Sequence, residues 1–385
     1  MTPLDALFWA LLLIGLYPYV VYPGVVWLLG RVLHRQVRSC PTYRPFVTVV
    51  IAAYNEQRHI EATIRNKLAQ DYPADRLDVL VVSDGSSDAT DSIVARIAAE
   101  DSRVRLIRQE PRQGKTAALN LAAREATGEL LVFSDANSIY RPDSLSRLVG
   151  NFADPAVGYV TGKMLYANPD GSLVGDGCTA YMTYENWLRV QETRIGSIAG
   201  VDGAIDCIRR GLYRSMGPDQ LPDFVLSLDV VEQGYRVVYD DSAVVMEEAL
   251  STDYAEHRMR VRVALRGLWA MSDKRILFNP LHYPLFSWQL LSHKLLRYLS
   301  PVPLLLAAAM NWALLGNGIA YRIAAFVQLM FFLLVGCRIL GVRPVSEWAL
   351  ARYCYYFVLL NWSSALAVIQ FLRGEKTVVW QPRLG

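Results

Sequence analysis

The sequence predicts an α/β domain with a parallel sheet, carried between apolar helical segments that enter a membrane. Three observations lead there. Between residues 46 and 137, four apolar, β-branched runs alternate with segments whose apolar residues recur at helical spacing. Outside that stretch the apolar residues gather into runs long enough to cross a bilayer. Hydrophobic residues make up 53% of the 385 positions and charged residues only 19%, which is rich for a wholly soluble chain.

The first element is the uncharged run "ALFWALLLIGLYPYVVYPGVVWLL" at 6–29. It reads as an N-terminal membrane segment within 1–33, kinked by Pro18 and Pro23. A cleaved leader would carry basic residues before the run, where only Asp5 is charged. Residues 34–275 read as a soluble domain. Within it "FVTVVIAAYN" (46–55), "LDVLVVSDGSSDAT" (77–90), "VRLIRQ" (104–109) and "GELLVFSDAN" (128–137) each hold a strand, the second followed by a turn. The segments 56–70, 88–100 and 114–126 between them are helical. Residues 276–299 mix aromatics with His and Lys and read as an amphipathic helix lying in the interface, with a surface helix packed on the domain as the plainer reading. About three further crossings are expected over 300–372, the first of them short, followed by a tail at 373–385.

Basic residues set the orientation. Arg31, Arg35 and Arg38 follow the first segment, which places the domain in the cytoplasm of a cell whose inner (plasma) membrane the chain crosses several times. The basic tail also calls for the inside, yet one N-terminal and three C-terminal crossings put it outside. A net charge of +3 is too mild to argue for nucleic acid as a partner. Five cysteines without paired spacing indicate neither a disulfide framework nor a zinc site.

In a parallel α/β sheet, ligands sit at the carboxyl ends of the strands. Asn55, Asp84 and Asp135 all fall at such ends, so residues far apart in the chain can converge. Carboxylates gathered there bind a cation or accept bonds from sugar and base donors; each alone also serves as a helix cap. No Walker sequence and no G-x-G-x-x-G opening a helix is present, which weakens P-loop and dinucleotide readings.

The stretches "VTVVIAAYNE", "VVSDGSSDAT", "QGKTAALN" and "VFSDANSIY" resemble, in that order, the nucleotide-sugar half of the inverting family 2 glycosyltransferases. "VDGAIDCIRR" (201–210) and "PDFVLSLDVVEQGYRVVYDDSAVVMEE" (222–248) resemble the family's acceptor and catalytic-base segments. "SHKLLRYLSP" (292–301) and the helices after it resemble the membrane-integrated branch of cellulose, chitin, hyaluronan and poly-N-acetylglucosamine synthases. The resemblance implies a GT-A (Rossmann-like) glycosyltransferase domain with α-helical transmembrane segments, a UDP-sugar donor and Mg2+ or Mn2+.

By that resemblance, Ala53, Tyr54, Glu56 and Asp84 line the nucleoside pocket and Lys115 lies near the donor. Asp135 opens the D-x-D-type motif that meets metal and diphosphate, with Asn137 as a neutral ligand where the family often has a second Asp. Asp223 is the expected base, with Asp229 as the fallback. No Gln-x-x-Arg-Trp is present; "EHRMRVRVALRGLWAM" (256–271) stands in its place. Arg258, Arg262, Arg266 and Trp269, together with Arg209, are the candidates for diphosphate and acceptor. The alternative for the 256–271 segment is a basic helix against anionic lipid. The function implied is transfer of a sugar with inversion to a growing polysaccharide, coupling to export and a partner for it being left open. The alternative is a non-processive transferase acting on a lipid. Trp312, Tyr355, Tyr356 and Trp362 are candidates for stacking on sugars within the membrane part.

Overall fold

The computed structural model describes residues 2–167, 177–248 and 253–376. Eight strands among them form one mixed sheet: β1 (Val47–Ala53), β2 (Leu77–Asp84), β3 (Val104–Gln109), β4 (Leu130–Asp135), β5 (Ile139–Tyr140), β6 (Val157–Ala167), β7 (Ile205–Arg209) and β8 (Arg236–Glu248). Their order across the sheet is β3-β2-β1-β4-β7-β6-β8-β5. The four strands read from the sequence form the parallel half. The other half joins through the antiparallel pairs β4–β7 and β6–β7.

Alternation along the parallel strands builds the core on both faces. Val47, Val49 and Ile51 of β1 pack with Val79, Val81 and Val132 on one side. Val50, Leu80, Val82 and Phe133 pack on the other. Each such fully buried aliphatic contributes about 1.5–3 kcal/mol, so this half of the sheet supplies a rigid base for whatever its edge carries. The helices α3 (Ile60–Leu68), α4 (Thr90–Glu100) and α5 (Lys115–Glu125) cover this half, while α6 (Ser144–Gly150) packs on β8 and β6 and, with α7 (Gly177–Ile195), α8 (Pro222–Glu232) and α9 (Asp253–Asp273), belongs to the second half.

The N-terminal run forms two helices, α1 (Pro3–Leu16) and α2 (Val21–Leu33), bent by 56° at the break that holds Pro18. The 276–299 segment contains α10 (Pro284–Gln289), a π-helical stretch Leu290–Leu295 and α11 (Leu296–Leu299). Then come α12 (Pro301–Ala313), α13 (Ile319–Leu340) and α14 (Ala349–Leu372). With 22 and 24 residues, α13 and α14 are long and apolar enough to cross a bilayer. The 13 residues of α12 reach only about 20 Å, short of the ~30 Å hydrocarbon layer. Two helices are therefore of spanning length, or three segments if the bent pair counts as one.

The end of the chain returns to the domain. Lys376 Nζ lies 2.6 Å from Asp219, and Trp269 Nε1 donates to the Glu375 carbonyl at 2.9 Å. Glu375 and Lys376 thus contact the domain; residues 377–385 lie outside the described ones.

Candidate active site

Register brings the strand ends level. Ala53 pairs with Ser83, Asp84 with Gln109, and Ala52 with Asp135. A cavity of about 1830 Å³ opens at this edge. Glu56, Lys115, Asp135 and Asn137 line one end of it, Asp206 and Asp223 its middle, and Arg258, Arg262 and Arg266 a further wall.

Asp135 closes β4, and the Lys115 ammonium from the first turn of α5 bonds to its carboxylate. Burial pulls the Lys115 pKa down, but Asp135 more than offsets this and the net shift is upward. Behind the motif, the fully buried Lys67 donates to the Ser138 carbonyl at 2.6 Å and lies 3.7 Å from the centre of the Tyr140 ring. Ser138 donates at 2.5 Å to Glu247, so the turn after Asp135 is pinned from beneath.

Asp223 stands in the first turn of α8, just after Pro222. Pro at the helix start costs no hydrogen bond, because that N–H has no partner in the helix. Gly203, at φ +81°, permits its approach: a β-carbon there would lie 2.7 Å from Asp223 Oδ2. Burial raises the Asp223 pKa, and the charge of Lys115 opposes the rise. Asp206 is a second buried carboxyl near Asp223, on β7. Burial pushes it up to about 7, with Asp223's charge adding to the effect. The Tyr159 and Thr161 hydroxyls sit beside it, and neither they nor Asp206 Oδ1 completes a hydrogen bond of good geometry. Sequence reading missed Asp206; its signal was a carboxylate inside the apolar strand "AIDCI".

Several expected residues stand elsewhere. Asp84 is 2% exposed, and its oxygens accept bonds from Gln109 Nε2 (2.6 Å) and the Gln113 and Gly114 amides (both 2.8 Å). A buried carboxylate needs such partners, and here they come from the end of β3 and the loop after it, so Asp84 is an anchor for that loop and not part of the cavity wall. Tyr54, likewise off the wall, lies under the Arg112 guanidinium at 3.7 Å, and Ala53 is buried in the sheet. Arg209 faces away from the cavity and donates to the carbonyls of Phe152, Asp154 and Val157. The alternation of β7 dictates this, since Asp206 and Arg209 point to opposite faces. Trp269 continues the arginine stripe of α9, but the last turn of α14 covers it, with Phe371 at 4.6 Å between ring centres. Asp229 is buried against Lys274 at 2.5 Å, outside the cavity. Arg266 lines the cavity while donating to the Pro218 and Asp219 carbonyls.

From Asp223 the cavity continues toward the apolar helices. Tyr181, Tyr184 and Tyr298 line it, then Tyr19 from the α1–α2 break and Tyr353 and Tyr356 from α14. Of the four aromatics expected to stack on sugars, only Tyr356 is on this wall; Trp312 and Trp362 are more than half exposed on the outer surface.

Asp135 and Asn137 offer oxygen donors, and no group of three or more His, Cys, Asp or Glu suited to a metal occurs among the described residues. That donor set fits a hard cation held by one or two protein oxygens, with phosphate and water completing its shell.

A buried parallel sheet with an acidic edge and an antiparallel annex is the architecture of a GT-A glycosyltransferase. The sequence profile described as Glycosyl transferase family group 2 matches residues 130–361, more than half of the chain, and that described as Glycosyl transferase family 2 matches 48–198. The chain belongs to the family 2 glycosyltransferases. It is 29% identical over 229 residues to a beta-monoglucosyldiacylglycerol synthase of Trichormus variabilis, covering 58% of this chain and 49% of that one. It is 26% identical over 265 residues to a poly-beta-1,6-N-acetyl-D-glucosamine synthase of Staphylococcus aureus, covering 65% and 64%. The chain thus spans about half to two thirds of the curated relatives it matches. Among solved structures, a mannosyltransferase from Pyrobaculum calidifontis in complex with GDP-mannose and Mn2+ superimposes with a TM-score of 0.69 at 25% identity, over 97% of this chain and 99% of that one.

Proposed function

We propose that the protein is a membrane-bound inverting glycosyltransferase that moves a sugar from a nucleoside-diphosphate sugar to a growing polysaccharide. The observation that carries this reading is the continuous cavity, with Asp135, Asn137 and Lys115 at one end, Asp223 midway and tyrosines beyond. At about 1830 Å³ it exceeds the ~300–1,000 Å³ of an ordinary small-molecule site, leaving room for donor and acceptor together.

In this mechanism Asp223 accepts the proton of the acceptor hydroxyl as the oxygen attacks the anomeric carbon, and the nucleoside diphosphate leaves from the opposite face. Lys115 supplies positive charge at the leaving-group end. Asp135 and Asn137 would hold a divalent cation, which when bound offsets the negative charge of the diphosphate. The tyrosines offer flat, amphipathic faces to sugar rings. The sequence resemblance favours a UDP-sugar, while the Pyrobaculum relative was solved with GDP-mannose. The localisation that fits is a multi-pass protein of the inner (plasma) membrane with its catalytic domain in the cytoplasm, its anchors being α13, α14 and the bent α1–α2 pair.

A second reading has support of its own. Tyr19 at the α1–α2 break and Tyr353, Phe357 and Leu360 of the apolar α14 complete the cavity wall, so a lipid-borne acceptor could enter from the bilayer for a single transfer. The test is a screen of UDP- and GDP-sugars on detergent-purified protein with Mg2+ or Mn2+, reading nucleoside diphosphate release, then mass analysis of the product. A ladder of lengths supports the polymer, and one added sugar on a lipid supports the second reading. No release with any donor overturns both.

A further inference from the structure

One charged group on the cavity wall has no part in the transfer chemistry above. Lys294 sits in the π-helical stretch after α10 and lines the cavity. Among the described residues its ammonium has neither a carboxylate at ion-pair distance nor a hydrogen-bond acceptor; it lies over the Phe224 ring, 5.7 Å from its centre. The nearby acids are engaged elsewhere. Glu185 is held by Arg297 and by His293, Glu192 by His293 and Tyr22, and Asp202 by Arg189 at 2.5 Å. Burial lowers the Lys294 pKa, with Glu185 opposing, as befits a cation short of a counter-charge.

The backbone makes room for this ammonium beside the base. A β-carbon on Gly200 would collide with Lys294 Nζ, and one on Gly203 would meet Asp223 Oδ2. Two glycines three positions apart, whose Cα atoms lie within about 11 Å, thus each give way to one charged group. Phe224, under the ammonium, is the residue next to Asp223. The leaving diphosphate has its own cation in Lys115 at the Asp135 end, whereas Lys294 comes from the segment leading into the apolar helices.

We propose that Lys294 receives an anionic group, a phosphate ester, borne by the acceptor close to the hydroxyl that Asp223 deprotonates. The inference rests on the transferase reading and narrows its acceptor. An ammonium binds phosphate as a point charge, and the phosphate comes from a lipid headgroup or from a phosphorylated sugar unit of a glycan.

The experiment uses the full chain in phosphatidylcholine nanodiscs. Binding of octyl phosphate, glucose 6-phosphate and octyl glucoside is measured for the wild type, Lys294→Gln and Lys294→Arg, with UDP and GDP affinities measured alongside. Octyl phosphate or glucose 6-phosphate should bind at least about tenfold more tightly than octyl glucoside, as a charge-assisted bond warrants. Lys294→Gln should erase that preference, Lys294→Arg should keep most of it, and nucleoside diphosphate affinity should stay within about twofold in both. A preference shown by octyl phosphate alone assigns the anion to a lipid; one shown by glucose 6-phosphate as well assigns it to a glycan. Equal binding of charged and uncharged probes to the wild type overturns the proposal. So does a Lys294→Gln variant that loses nucleoside diphosphate and not the phosphate probe. Should Lys294→Gln fail to fold, a folded Lys294→Arg variant that lacks the preference overturns it equally. Absence of UDP and GDP binding, with Lys294-dependent phosphate binding intact, would instead count against the transferase reading.

Discussion

Two buried carboxyls near one another divide the chemistry at the residue scale. Asp223 must be ionised to accept a proton, and burial raises its pKa. Activity should therefore rise with pH through an apparent pKa above the usual carboxylate range. Asp223→Asn should lower kcat by about 10²–10⁴-fold while nucleoside diphosphate binding, followed by calorimetry, stays close to that of the wild type. Asp135→Ala should weaken both the response to Mn2+ and donor affinity in the same assays. Asp206 makes a separate prediction. Its folded pKa of about 7 lies above the ~3.9 of an unfolded chain, so the folded state binds this proton more tightly. The stability it contributes is fully present below about pH 4 and is lost as pH rises through about 7. Melting temperatures of Asp206→Asn should lack this decline and exceed the wild type's at pH 8. A parallel pH dependence in both proteins would remove Asp206 as its source.

Elements explain what the sequence could and could not disclose. The strands β1, β2 and β4 were legible because each is a buried, nearly uninterrupted apolar run, and the half-buried β3, with Arg105 and Arg108 in it, was legible from its place between two helical segments. Their level ends made the convergence of Asn55, Asp84 and Asp135 foreseeable, though not that Gln109 at the end of β3 and the loop after it would occupy the Asp84 carboxylate. The strands β6 and β8 were not legible. Glycines interrupt β6 at Gly158 and Gly162, where its register against β8 shifts. A β-carbon at Gly162 would run into the Ala243 carbonyl of β8, so the close approach that requires glycine also destroys the period-2 signal. The pair Asp240–Asp241 breaks β8 in the same way. The ionic cluster around His293 was hidden for another reason: Tyr22, Glu185, Glu192 and Arg297 come from three distant segments, and nothing in local spacing joins them. This cluster ties α2 to α7 and to the segment after α10. Tyr22→Phe removes the hydroxyl that donates to buried Glu192 and should cost about 1.5–3 kcal/mol, read as a lower melting temperature in detergent.

For the whole molecule, the notable relation is between catalytic domain and apolar helices. Arg260 of α9 donates to the Tyr356 hydroxyl of α14 at 2.9 Å, and His257 Nδ1 lies 2.8 Å from Ser363 Oγ. Together with Glu375 and Lys376 docked on the domain, these contacts make α14 part of the enzyme body. Disrupting them should therefore alter use of the acceptor before it alters the donor: Arg260→Ala should raise the acceptor KM several-fold and leave donor KM nearly unchanged, in the transfer assay once the acceptor is in hand. An equal effect on both would place α14 outside the acceptor path.

The bend at Tyr17–Val20 sets a practical limit on how this protein can be studied. Because Tyr19 at that elbow reaches the chamber, trimming residues 1–33 to obtain a water-soluble fragment would take away a piece of the reaction vessel along with the apolar helices. Removing Tyr19 opens the far end of the cavity, while Lys115, Asp135 and Asn137 at its other end stay in place.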